Sequence, residues 1–257
     1  MWVAGNVSSL ARNALFSEGK HLAFLGRGSI YKIVAWKGKI ELKMKILYRC
    51  AVYIFCGFLT GGNQAMSMKN LPDYVILDGP NEIGAQVLKT PAQPLTFPLS
   101  EEDQKDIQTL IDKFNQEEMC VGLAAPQVGI SKKFIIVNVP DDPKLKNWRP
   151  DLTDTLEKTV LVNPVYKPVG EKTVTAYEAC FSVKKSAGPV ARYESISYSA
   201  YTPDGQLIEG KASGFLSRVL QHEIDHTEGK CFVDHVPEGK LITMEEYVEM
   251  RSKKMDK

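Results

Sequence analysis

Apolar residues recur at helical spacing in two clear windows of the chain. Ile107, Leu110, Ile111 and Phe114 predict one face of a helix. Ser100 is placed to cap it, with Asp103 three residues on as a weak capping-box partner. Phe215, Leu216, Val219, Leu220 and Ile224 predict the apolar face of a second helix, with Gly229 as its stop signal. A last helix is predicted to start near Thr243, with Glu246 completing a capping box. Between the helices the period changes. The β-branched run Phe134–Val139, bounded by Pro140 and two aspartates, predicts a buried strand ending in a turn. Residues 159–162 and Ser195–Tyr201 predict two more strands, and Pro203, Asp204 and Gly205 predict a turn into a fourth near Leu207 and Ile208. Residues 74–96, rich in Pro and Gly around Val75, Ile76 and Leu77, read as loop and edge strand. Residues 141–158 are polar and proline-broken and read as a loop excursion. Strands in the middle with helices at the ends make an α+β domain rather than a βαβ repeat.

The 257 residues are 44% apolar and 25% charged, ordinary globular composition for one domain with an appendage or at most two small domains. The net charge of +1 favours no particular partner, and no direct nucleic-acid binding is expected. The charge is unevenly spread, however. Through Ala65 there are nine Lys/Arg against two Asp/Glu, whereas the remainder is mildly acidic. Residues 1–67 are therefore set apart as a basic leader and residues 68–257 as the globular body. The leader has three readings. It is basic and acid-poor, as an organellar transit peptide is. From Met44, the charges Lys45 and Arg49, the apolar run Cys50 to Leu59 and the small residues Gly61, Gly62 and Ala65 resemble a secretory signal. That run is well short of the ~20 residues needed to span a bilayer, so no transmembrane span is expected. The third reading, that the true start lies downstream at Met44, Met66 or Met68, is placed slightly ahead. The compartment is expected to be a bacterial cytoplasm, or a mitochondrion or plastid if the leader is a transit peptide. Five cysteines in no disulfide spacing fit free thiols in a reducing compartment.

The strongest chemical signal is His222-Glu223-Ile224-Asp225-His226, inside the second predicted helix. Residues four apart lie about 40° apart around a helix axis, so both imidazoles face one way. Two neutral imidazoles on a rigid element grip a borderline metal well. Glu223, one residue round, can reach water at the metal without ligating, the general-base position of HExxH hydrolases. A polar helix face that matches by chance is the plain alternative. Against it, two of the chain's four histidines fall here, beside apolar residues. A catalytic site of this type needs a third protein ligand. The metzincin pattern would place a histidine where Phe232 stands, which cannot ligate. A downstream glutamate (Glu245, Glu246 or Glu249) and an upstream thiolate, Cys180, remain, and spacing does not choose between them.

Three segments together resemble the signature motifs of peptide deformylases. Gly122-Leu123-Ala124-Ala125-Pro126-Gln127 matches the end of GxGxAAPQ. Glu178-Ala179-Cys180-Phe181-Ser182 matches EGCxS. His222 to His226, with Gln221 before it, matches HExxH. The order and separations agree from about Tyr74 to the C-terminal helix. The resemblance implies Cys180, His222 and His226 as metal ligands, Glu223 as general base and acid, and the Gln127 amide and Phe181 N–H as donors to the oxyanion. It implies that Val121 and Gly122 lie along the substrate. Phe215 and Val219, two turns and one turn ahead of His222, are plain core or wall the methionine pocket; both at once is the expectation. It implies antiparallel sheets around a central HExxH helix, a monomer, and ferrous iron (Fe2+) as the fully active metal. Zinc, nickel or cobalt could substitute, and zinc outcompetes ferrous iron on affinity. The substrates implied are nascent formyl-Met polypeptides near the ribosome exit. Two residues depart from the pattern: Cys120 and Ala179 stand where the family has glycine. Ala179 would misplace Cys180 if the position needed positive φ; a compatible backbone is expected. Cys120 reads as packing, with a redox role as the minor alternative. Asp225 should point away from the metal, with Arg192 one candidate partner, while Cys231 and His235 read as structural. Two rival functions are carried: a zinc endopeptidase using Glu245 or Glu246, and a non-catalytic binder of formyl-Met N-termini.

Overall fold

The structure, a computed structural model, describes residues 21–26, 29–34, 71–78, 84–118 and 120–255. Within the leader, strands β1 (His21–Gly26) and β2 (Ser29–Val34) pair as an antiparallel hairpin. This hairpin was not predicted, and it belongs to a separate compact unit, Asn6–Lys69. The apolar run at 50–59, the start candidates Met44, Met66 and Met68, and the boundary at 67 lie outside the described residues.

The second unit is built on helix α1 (Glu101–Gln116), strands β3 (Gly122–Ala124) and β4 (Phe134–Val139), helix α2 (Pro143–Trp148) and strands β5 (Leu156–Pro168), β6 (Thr173–Cys180), β7 (Val183–Tyr193), β8 (Ser195–Tyr201) and β9 (Leu207–Ser213). Helix α3 (Gly214–Thr227), the short strand β10 (Ile242–Thr243) and helix α4 (Met244–Met255) follow. One sheet runs β3-β4-β5-β8-β9 and the other β10-β7-β6, and every pairing is antiparallel. This is the expected α+β architecture with its C-terminal helix.

Side-chain alternation explains why β4 is apolar throughout. Ile135, Val137 and Val139 join α3's Phe215, Leu216, Val219, Leu220 and Ile224 in one cluster. Phe134 and Ile136 point the other way, against Ile107, Leu110 and Phe114 of α1. With both faces covered, no position of β4 needs to be polar. Helix α3 is buried at every residue from Phe215 to Thr227, since the β6–β7 sheet closes its remaining side. Its polar residues are anchors there. Gln221 donates from Nε2 to the Tyr193 carbonyl (2.8 Å) and accepts the Tyr193 N–H on Oε1 (3.0 Å). Gly229 ends the helix at φ 72°, where a side chain would also strike the Thr90–Pro91 backbone.

The capping boxes at Ser100–Asp103 and Thr243–Glu246 are both formed. Three local expectations need correction. The 141–158 excursion contains helix α2, capped by Asp142, whose side chain accepts the Lys144 N–H at 2.8 Å. The edge strand around Val75 does not form: the Val75 N–H goes to the Gln127 carbonyl (2.9 Å) and the Leu77 N–H to the Ser182 carbonyl (2.8 Å). The segment straps two motifs together instead of extending a sheet. The strand expected at 159–162 is a longer one, continued past a bulge at Asn163, which takes φ 51°. Both ends of its amide bind Leu95 backbone at 2.8 Å.

Candidate active site and metal centre

Helix α3 and the end of β6 meet at three buried side chains. Cys180, the last residue of β6, is separated from its partner Val183 only by the two-residue turn Phe181-Ser182. His222 and His226 project from adjacent turns of α3, their rings 5.0 Å apart and edge-on. One ligand atom from each of Cys180, His222 and His226 lies within 4.8 Å of the others, and Cys180 Sγ stands 3.3 Å from His226 Nε2. Among the described residues this is the one group of three such side chains.

The donor set fits a divalent cation. His222 Nε2 is buried with no protein partner, an arrangement that costs free energy unless something else satisfies it. Burial, and then the neighbouring charge of His222, hold His226 well below the ordinary imidazole range, so it stays neutral and keeps a lone pair to give. Burial, with the Cys231 thiol beside it, pushes the Cys180 thiol up. A cation is what would hold that sulfur as a thiolate, and thiolate plus imidazole suits zinc or iron.

Behind these three side chains lies a charged network that fixes His222. His222 Nδ1 is 2.8 Å from Glu178 Oε2, the carboxylate–histidine pairing that sets a ligand's tautomer and orientation. Glu178 also accepts two bonds from Arg192 (both 3.1 Å) and one from Arg218 (2.7 Å). Burial would raise the Glu178 carboxyl, but His222 and Arg192 outweigh it and hold it well below its usual range. Arg192 continues to Asp225, which also takes His235 Nε2 at 2.9 Å. Asp225 thus points away from the ligand atoms and pairs with Arg192, and His235 belongs to this support. Cys231 packs beside Cys180 and Phe232.

Glu223 is fully buried, and burial pushes its carboxyl up to about 7, against the lowering effect of His222. Its Oε2 has no partner, and its other carboxylate oxygen lies over Gly122. A Cβ on Gly122 would stand 2.6 Å from Oε1, so glycine is needed here for close approach. Gln127 is held by its own oxygen: Oε1 accepts the Ala124 N–H at 2.8 Å, which turns Nε2 toward Cys180 Sγ at 3.3 Å. The Phe181 ring stacks on Tyr74 with centroids 4.9 Å apart. Val121, Phe215 and Val219 line a small cavity together with His222 and Glu223, and all three are also core residues. Ala179 needs no left-handed backbone, since Asn163 is the one non-glycine residue with positive φ among those described. Cys120 is packed in the core, with Sγ 3.2 Å from the Gly122 carbonyl.

Glu245, Glu246 and Glu249 are exposed on α4, and Glu246 is occupied in capping that helix. None of the three joins the Cys/His/His group. Sequence reasoning gave no role to Glu178 or Arg218. Glu178 stands inside a quoted motif, two residues before Cys180. Arg218 lies one turn ahead of His222 in a helix that carries Phe215, Leu216, Val219 and Leu220 close by in sequence, and a charge there is the signal that could have marked a buried partner.

A sequence model of the family described as Polypeptide deformylase matches residues 80–241. Peptide deformylase 2 of Rickettsia conorii is 51% identical over 189 residues, covering 73% of this chain and 94% of that one. The chloroplastic peptide deformylase 1A of Solanum lycopersicum is 32% identical over 187 residues, covering 68% of this chain and 63% of that one. Among solved structures, the Met-Ala-Ser-bound class I type b peptide deformylase of Acinetobacter baumannii superposes with a TM-score of 0.55 at 27% identity, covering 66% of this chain and all of that one.

Proposed function

The chain belongs to the polypeptide deformylase family and is a metal-dependent hydrolase that removes the N-formyl group from newly synthesised polypeptides, and from that premise we propose how its residues divide the work. The observation that carries the proposal is the convergence of Cys180, His222 and His226 within 4.8 Å of one another, with the partnerless carboxylate oxygen of Glu223 beside them. Cys180, His222 and His226 hold the cation, ferrous iron in the native enzyme. The bound cation supplies Lewis acidity, lowering the pKa of water and polarising a carbonyl oxygen.

Glu223 takes the proton of the attacking water and later returns it to the leaving amine. A carboxyl raised to about 7 is suited to both transfers near neutrality. Gln127 Nε2 and the Phe181 N–H donate to the formyl oxygen as charge gathers there. The Ala124 N–H holds the Gln127 amide in the donating orientation, so this donor needs no reorganisation during the reaction. Val121 and Gly122 offer backbone to the substrate, and the bare Cα of Gly122 lets it pass close to Glu223. Phe215 and Val219 wall the pocket for the first side chain, which we assign to methionine; the Acinetobacter enzyme's structure holds a peptide that begins with it. The partners are nascent formyl-Met chains at the ribosome exit, met by a monomer. Residues 1–67 are a leader outside the catalytic domain, and the compartment is the bacterial cytoplasm, or an organelle if the leader directs it there.

The test is turnover by anaerobically purified, iron-loaded protein. Formyl-Met-Ala-Ser should be hydrolysed at least a hundredfold faster than acetyl-Met-Ala-Ser, because an acetyl methyl must displace the water or pull the carbonyl oxygen from its donors, and ~1 Å of misplacement costs on the order of a hundredfold. Glu223→Ala should lose turnover by about a hundredfold or more and keep its metal. Equal rates on the two peptides, or metal loss in Glu223→Ala by elemental analysis, would remove the assignment.

A further inference from the structure

The cavity lined by His222 and Glu223 is not wholly apolar. Phe215, Val219 and Val121 line it, and so do Glu178 and Arg218, which pair with each other, and Arg149, Tyr177, Tyr247 and Arg251. These four come from three separate parts of the chain: the residue that ends α2, strand β6, and two turns of α4. Tyr247 and Arg251 lie beyond the region matched by the family model, which stops at 241.

Each is held in place. The Arg149 guanidinium lies 4.0 Å over the Phe215 ring and is gripped by Asp151 through Nε (2.8 Å) and Nη2 (2.6 Å). Tyr177 and Tyr247 stack with centroids 6.3 Å apart. Arg251 donates from Nη2 to the Trp148 carbonyl at 3.0 Å, which ties the last turns of α4 to α2. Guanidinium groups carry only donors, and a phenol offers one more. An apolar side chain gains nothing from such a wall, whereas one carrying an acceptor at its tip gains hydrogen bonds that an apolar pocket cannot supply. Methionine sulfur is a weak acceptor and makes favourable contacts with aromatic rings. Its sulfoxide is a strong acceptor on a side chain of nearly the same length.

We propose that Arg149, Tyr177, Tyr247 and Arg251 form a polar end wall to the first-residue pocket, so that this enzyme reads the heteroatom of that side chain and deformylates peptides beginning with formyl-methionine sulfoxide as well as formyl-methionine. The inference rests on the assignment of this pocket to the first side chain. The reaction itself is unchanged: water adds to the formyl carbon, the C–N bond breaks, formate leaves, and the amine takes the proton. The sulfoxide is neither reduced nor oxidised.

The experiment compares kcat/KM of the full-length, iron-loaded protein on formyl-Met-Ala-Ser, its norleucine analogue and its methionine sulfoxide analogue, followed by formate release. The sulfoxide peptide should fall within about tenfold of the methionine peptide. Norleucine, with a CH2 in place of sulfur, should fall about threefold to tenfold below methionine, the range one modest hydrogen bond supplies. Arg251→Leu and Tyr247→Phe should each lower the sulfoxide rate relative to methionine by about threefold to tenfold and narrow the gap between norleucine and methionine. Tyr247→Phe keeps the ring stack, so it answers the question even if Arg251→Leu fails to fold. A norleucine rate equal to that of methionine, with a sulfoxide rate a hundredfold lower, would mean an apolar end and overturn the proposal while leaving the deformylase reading intact. No turnover of formyl-Met-Ala-Ser by metal-loaded wild type would overturn both.

Discussion

Replacing Gly122 by alanine should disable the enzyme without removing its metal. The backbone at Gly122 is outside the positive-φ region, so alanine is conformationally acceptable and the effect is one of space alone. The new methyl would meet Glu223 at 2.6 Å from Oε1, 2.7 Å from Cγ and 2.9 Å from Cδ. Restoring ordinary contact requires the carboxylate to retreat by roughly 0.8 Å, and a displacement of ~1 Å at a reacting group costs on the order of a hundredfold in rate. The loss should appear in kcat, because Glu223 moves a proton and contributes little to holding the peptide. Overpacking at a buried position should also cost about 1–3 kcal/mol of stability. The assay is steady-state turnover of formyl-Met-Ala-Ser beside elemental analysis and a thermal melt of the same preparation. Wild-type kcat in a folded, metal-replete Gly122→Ala protein would refute the reasoning. So would metal loss in proportion to activity, since the contact would then act through the ligands.

Glu178→Gln removes the charge that faces His222, Arg192 and Arg218 together. It should weaken metal binding by about tenfold to a hundredfold in a chelator competition, and it should destabilise the fold by about 3–5 kcal/mol, because Arg218 loses its buried carboxylate and Arg192 is left with Asp225 alone. Unchanged metal affinity would show that His222 does not depend on that carboxylate. Cys180→Ser should lose or weaken metal binding, whereas Glu245→Ala and Glu246→Ala should retain metal; the opposite pattern in elemental analysis would restore the endopeptidase reading. A chain beginning at Met66 or Met68 should fold and turn over substrate, since both starts keep the 74–78 strap; an inactive product would show that the leader contributes to the catalytic unit.

The chemistry was more legible in this chain than the sheet that carries it. His222, Glu223 and His226 announce themselves by helical spacing, and Cys180 could be ranked above Glu246 only by resemblance, because spacing carries no information about which strand ends against a helix. The β6–β7 hairpin, which delivers Cys180, was not foreseen. The first half of β6 is exposed and its alternation, Thr173-Val174-Thr175-Ala176, is short and weakly apolar, and β7 contains Lys184, Lys185 and the pair Gly188-Pro189, which read as breakers. Structure resolves the second point. Gly188 is required because a Cβ there would lie 2.7 Å from Val236, and Pro189 stands in register opposite Tyr177. The long β5 was cut short in the reading for a similar reason: Asn163-Pro164 looks like an ending, and it is a bulge. Helix α2 buries only Leu145, too little to give a periodic pattern. Glu178 is invisible as a support because nothing in one sequence says that two arginines and a histidine will converge on it.

The three side chains proposed as ligands come from parts of the chain with no local reason to be adjacent: one ends a strand, and two sit on a helix about forty residues later, a separation whose closure carries an entropic cost on folding. A cation gripping all three is therefore a reversible cross-link between the β6–β7 sheet and helix α3, as well as a reagent. It binds the assembled state and not the dispersed one, so it stabilises the fold in proportion to its own saturation, by about 2.7 kcal/mol when free metal stands a hundredfold above its dissociation constant. With that ligand set, metal supply would govern how long the protein survives as well as how fast it works: a preparation stripped by a chelator would lose the clasp that holds its helix to its sheet.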